Sequence, residues 1–139
     1  MHQIPTLGHN DAQRAIAAIQ AELARLRVPA AIAVVDPAGE VIALVRMDGV
    51  PIACVGNATN KAFTAARLQK SSRDVGKSVR DPVSGYDISY YNDTRYIGWG
   101  GGLPVVVNGQ TVGAVAVSGL SEDDDEKLAA LGIAAIMAK

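Results

Sequence analysis

The side chains with chemical potential concentrate between Asn57 and Gly102. Lys61 shares a helical stripe with Asn57 and Thr64, because residues three and four apart lie on one side of a helix. An ammonium there pairs with a substrate carboxylate, or serves as acid or base where burial lowers its pKa. An exposed helix lysine on a solvated face has the same pattern. Further on, YYNDTRYIGWGGG places Tyr90, Tyr91, Asp93, Arg95, Tyr96 and Trp99 close together. A tyrosine donates protons, an aspartate accepts them, and an arginine grips a carboxylate through two parallel hydrogen bonds. With Lys61, Tyr91 and Arg95 as catalytic candidates, the set suits a cofactor-independent isomerase, hydratase or lyase acting on a small unsaturated or aromatic-derived acid. Tyr, Trp and Arg are also the residues enriched at subunit interfaces, so an oligomer contact is the rival reading. Gly100, Gly101 and Gly102 lack Cβ atoms, and their amides suit either an anion-binding nest or a tight lead into a strand. Asn57, Thr64, Tyr90, Asp93, Tyr96 and Trp99 join these glycines as ligand-binding candidates.

Other chemistries lack their residues. The only histidines, His2 and His9, and the lone Cys54 do not form a metal-ligand set, so no metal site is expected. No Ser-His-Asp or Cys-His arrangement is visible. Cys54 lies in an Ala-rich helical stretch and reads as a small packing residue. A formal net charge of -1 without a basic cluster argues against nucleic acid and anionic membrane as partners. No apolar run reaches the roughly 20 residues of a membrane span. The opening MHQIPTLGHNDAQ lacks the basic-then-apolar pattern of a secretory signal, and the expected location is cytoplasmic.

The elements that position these residues follow from periodicity. At 139 residues, with 49% hydrophobic and 19% charged residues, one domain spanning 1–139 is expected. Much of the apolar content is alanine, which allows backbones to approach closely and suits subunit contacts. Ile16, Ile19, Leu23 and Leu26 recur at helical spacing, with Gly8 or Asn10 as N-cap and Pro29 as the stop. Two apolar runs, residues 30–36 and 40–47, flank a DPAG turn and read as a hairpin covered on both faces. A helix follows from Pro51 to about Lys70, with Ile52, Val55, Thr59, Ala62 and Ala66 facing the sheet. Residues 71–80 suit a short helix, and the rest of the stretch to residue 102 reads as a loop over a site or a partner. LPVVV and QTVGAVAVSG, joined by Asn108-Gly109, form a second hairpin. Ser121 then caps a last helix whose acidic opening complements the helix dipole and whose core face is Leu128, Leu131, Ala135 and Ile136. The order implies an α+β fold with one antiparallel sheet of four to five strands.

AIAVVDPAGEVIALVRMDG, then NKAFTAAR, GGGLPVVVNGQTVGAVAVSG and SEDDDEKLA, in this order and spacing, resemble the GlcG/HbpS-type family, which includes the C-terminal domain of PduO-type proteins. The resemblance implies a profilin-like fold, homo-oligomers from dimers up to octamers, and a small-molecule ligand, either a small organic acid or haem or another tetrapyrrole. It also sets the triple glycine and Lys61 beside the presumed pocket. Haem-binding members are expected to supply a histidine to the iron. Here both histidines precede the first helix, leaving Tyr90, Tyr91 and Tyr96 as phenolic candidates.

Overall fold

The computed structural model describes residues 1–138. Helix α1 spans His9–Leu26, strands β1 and β2 are Ala31–Val35 and Val41–Arg46, and α2 is Ala53–Leu68. Helix α3 covers Ser72–Val79, and Ile88–Tyr91 make one 3-10 turn. Strands β3 (Gly102–Val107) and β4 (Gln110–Ser118) precede α4, Glu122–Met137. The four strands form one antiparallel sheet in the order β2-β1-β4-β3.

Strand alternation divides the core by side-chain size. Ile32, Val34, Val105, Val115 and Val117 meet Ile16, Ile19 and Leu23 of α1 and Leu128 of α4. On the opposite face Ala31, Ala33, Ala114 and Ala116 meet Ala58, Ala62, Ala65 and Ala66 of α2. Large residues fill the space beneath two helices, while alanines let α2 lie close to the sheet. The approach is close at β3, where a Cβ on Gly102 would stand 2.4 Å from the Lys61 carbonyl oxygen.

The caps and turns follow local rules. Gly8 is the N-cap of α1, and its amide donates to Asp11 Oδ2 at 2.8 Å. Asp36 Oδ1 accepts the Ala38 and Glu40 amides across the first turn, with Gly39 at φ 86°. Asn108 and Gly109 both have positive φ, as a type I′ hairpin requires. Ser121 Oγ accepts the Asp124 amide at the start of α4.

Several sequence expectations change in three dimensions. Only β1 of the first hairpin is covered on both faces; β2 is a sheet edge with Val41 and Leu44 exposed, since no strand and little of α2 lies beyond it. Ile52 precedes α2 and is exposed, while Lys61, Phe63 and Thr64 are buried. Leu26 and Leu131 lie outside the core. They line an open groove of about 630 Å3 between α1 and α4, with Val28, Leu120 and Leu128 as its apolar walls.

Candidate functional site

Lys61 is 2% exposed, so its ammonium requires a counter-charge. Its Nζ donates to Asp125 Oδ2 at 3.1 Å and to the Val117 carbonyl at 3.2 Å. Asp125, also buried, accepts the Leu120 amide through Oδ1 at 2.9 Å. This pair links α2, the end of β4 and the start of α4. Lys61 is therefore neither an exposed helix lysine nor an unpaired cation facing a cavity. Above it, the Trp99 ring centre is 5.5 Å from Nζ, close enough for a cation–π contact. Trp99 itself remains 55% exposed.

The triple glycine does adjoin Lys61, but the first and third of its amides already have internal acceptors. Gly100 donates to Glu122 Oε1 at 2.8 Å and Gly102 to Ser72 Oγ at 2.9 Å. Gly101 has φ 131°, and a Cβ there would lie 2.8 Å from Lys61 Nζ and 2.7 Å from the Val117 carbonyl oxygen. The missing Cβ atoms thus admit the lysine and the sheet, the tight-lead reading of this segment. Thr64, fully buried, accepts the Ile97 amide at 2.9 Å and donates to the Arg95 carbonyl. It fastens the aromatic segment to α2.

Each guanidinium nitrogen of Arg95 has an acidic partner. Its Nε and NH2 contact both oxygens of Asp93, and NH1 donates to Glu40. These hydrogen bonds raise the Arg95 pKa, and those from Arg95 hold the Asp93 carboxyl below the usual range. Arg95 and Arg67 flank Phe63, their guanidinium carbons 4.0 and 4.4 Å from its ring centre. Phe63 begins a chain of rings: Tyr96 at 4.9 Å, Tyr91 a further 4.8 Å on, and Tyr86 another 6.0 Å. A hydrogen bond with Tyr86, aided by burial, raises the Tyr91 phenol above its ordinary pKa. Lys61, Tyr91 and Arg95 therefore occupy separate bonding networks. Tyr90 points outward at 75% exposure, and Asn57 is half-buried on α2.

An open pocket does form beside this segment. It measures about 590 Å3, within the usual range for small-molecule sites. Val79, Ile88, Ile97, Tyr96 and Trp99 supply apolar and aromatic walls, and Arg80 and Glu122 supply charge. Within its lining α3 touches the loop backbone to backbone: a Cβ on Gly76 would stand 2.0 Å from the Gly98 carbonyl oxygen. Glu122 is occupied by the Gly100 amide, whereas Arg80 makes no ion pair among the described residues. Of the expected site residues, the pocket gathers Tyr96 and Trp99. Arg80, Glu122 and the buried Asp125 were not expected. Four consecutive acids shared the helix dipole; Asp125 stands three residues before Leu128 and four before Ala129, on the buried stripe of α4, but its partner Lys61 is 64 residues away in the chain.

The comparisons with known proteins agree with this architecture. A Citrobacter freundii 15.0 kDa protein from the dhaT-dhaS intergenic region is 34% identical over 127 residues, covering 91% of this chain and 89% of its own length. The crystal structure of Klebsiella pneumoniae ORFY superposes with a TM-score of 0.93 at 31% identity, over 100% of this chain and 96% of that one. That of a Streptomyces reticuli HbpS double mutant gives 0.86 at 26%, over 96% and 89%. A family model described as "Haem degrading protein HbpS-like" matches residues 7–134. With the sheet order, the helix placement and these matches in agreement, the chain belongs to the HbpS-like family.

Proposed function

We propose that the protein is a small-molecule-binding domain whose ligand is an organic acid with a flat, largely apolar body. The observation that carries this reading is the pocket beside α3, where Tyr96, Trp99, Ile88 and Ile97 surround apolar volume and Arg80 remains without an acidic partner. Aromatic walls favour a planar body, and an arginine binds a carboxylate through paired hydrogen bonds. The family's description brings haem and related tetrapyrroles into consideration, since these too are planar carboxylic acids. For haem the donor set fits poorly. Among the residues lining the pocket, the side chain capable of binding iron axially is Tyr96, and its hydroxyl accepts a hydrogen bond from Arg67 at 3.5 Å. His2 and His9 are exposed and lie outside the lining. A small acid is therefore the primary reading. The engagement of Lys61 by Asp125 and of Arg95 by Asp93 and Glu40 lends no support to acid–base catalysis by those residues.

Trp99 is the only tryptophan, so its fluorescence reports occupancy directly. Titration with a small aromatic acid such as benzoate is expected to change that emission saturably. Arg80→Ala is expected to weaken binding about tenfold or more, the loss of a charge-assisted bond. Haemin forms the parallel arm, read by its Soret band. Saturable binding of benzoate with unchanged affinity in Arg80→Ala would reject the site; saturation by neither compound would reject the reading.

We further infer a homo-oligomer. The apolar groove between α1 and α4 carries Glu22 and Asp124 together with Lys127 on its rim. A second copy related by two-fold symmetry meets this mixture of charges with its own opposite.

A further inference from the structure

We propose that Glu122 determines which acids the pocket beside α3 takes: those whose flat body carries a hydroxyl or amino donor in addition to the carboxylate. The inference rests on the acid-binding reading above and deepens it. One cavity holds both charges. Arg80 of α3 and Glu122 of α4 line it together, and no ion pair joins them among the described residues.

The loop between α3 and β3 fixes where each charge stands. At Gly98, the NH1 nitrogen of Arg80 lies 3.8 Å from the point a Cβ would occupy, and it lies 2.9 Å from the corresponding point on Gly76. At Gly100, the amide donates to Glu122 Oε1 at 2.8 Å, and a Cβ would stand 3.1 Å from the Glu122 Cβ. Trp99, the residue between, is one of the pocket walls. A step of two residues covers at most about 7 Å, the scale of one substituted ring.

The free donors and acceptors then define the ligand. Arg80 offers guanidinium protons and no acceptor, which suits a carboxylate. Glu122 has given Oε1 to the Gly100 amide, while Oε2 has no donor among the described residues and the side chain is half-buried. The nearby Arg73 does not supply one, because its hydrogen bonds go to Asp123 and Glu126. A plain monocarboxylate would therefore bring a second negative group into a pocket that already holds one, and leave Oε2 unmatched. A hydroxyl or amino proton turned toward Oε2 removes that mismatch and directs the ligand's carboxylate to Arg80.

The test is calorimetric titration of the full chain near neutral pH with benzoate, 3- and 4-hydroxybenzoate, and the two matching methoxybenzoates. One hydroxy acid is expected to bind about tenfold more tightly than both benzoate and its methoxy counterpart, which can accept a hydrogen bond but not donate one. Glu122→Gln keeps the side-chain size and an oxygen for the Gly100 amide, but presents an amide donor to the ligand. The hydroxy-to-methoxy ratio is expected to fall to about one in this variant, since both ligand oxygens can accept from the amide. A preference due to size alone would survive the substitution, so an unchanged ratio overturns the proposal. Benzoate binding that Arg80→Ala weakens, with neither hydroxy acid favoured over its counterpart, overturns the role of Glu122 and leaves the acid-binding reading standing. Saturation by none of the acids overturns both.

Discussion

At the residue scale, Lys61 illustrates how burial reassigns a charged side chain. Its ammonium and the Asp125 carboxylate are both withdrawn from water, so each depends on the other. Removing one partner of such a pair typically costs about 3–5 kcal/mol, since the remaining charge is stranded. Lys61→Met is therefore expected to lower the unfolding free energy by roughly that amount. Adding Asp125→Asn removes the stranded charge and keeps an oxygen for the Leu120 amide. The double variant should recover part of the loss in urea denaturation. A Lys61→Met variant as stable as the parent would show the pair to be dispensable. Arg80 is the contrasting case, an exposed cation at the rim of a pocket, and its replacement belongs to binding rather than stability.

At the element scale, the segment between α3 and β3 is held largely by aspartates. Asp81 accepts the Val83 and Ser84 amides, Asp87 accepts the Ser89 amide, and Asp93 holds the Arg95 side chain and amide. Backbone hydrogen bonds lead in lowering the pKa of Asp81 and Asp87, and the Arg95 side chain leads for Asp93. A carboxyl depressed in the folded state contributes stability above its unfolded pKa, about 3.9 for aspartate, and loses it as pH falls through the lower folded value. The hydrogen-exchange protection factors of residues 81–95 are accordingly expected to fall below about pH 4, while those of β1 and β4 hold. A uniform loss of protection across the chain, or none in this segment, would contradict that account. Thr64 and the Gly76–Gly98 contact anchor the other end, so acid is expected to loosen the aromatic wall before the sheet.

At the scale of the whole molecule, the two faces of the sheet serve different purposes. The valine and isoleucine face supplies most of the buried volume, whereas the alanine face brings α2 and Lys61 against β3. Outside this core, Leu26 and Leu131 line a groove that a second copy is inferred to cover. Leu131→Lys, placed on an exposed helix position, is expected to lower the sedimenting mass of the native protein while leaving its circular dichroism unchanged. A parent that sediments as a monomer at micromolar concentration would remove the oligomer.

Local signals carried much of the architecture. Asn108-Gly109 between apolar runs, Ser121 ahead of an acidic turn, and Gly39 after Asp36-Pro37 act over a few residues, and each adopts the backbone its residue types favour. The family resemblance rested on these same segments and is matched over residues 7–134. The stripe of Asn57, Lys61 and Thr64 was also legible, but which of its members would be buried was not. That depends on α4 and the 95–97 backbone, which are 31 or more residues away in the chain. Likewise, the residues of the aromatic segment were readable one by one. Tertiary packing committed Arg95 to Asp93 and Glu40, buried Asp125 against Lys61, and left Arg80 beside an open pocket. A turn is determined by neighbours in sequence, whereas the free or neutralised state of a charge is determined by groups that only folding brings within about 4 Å.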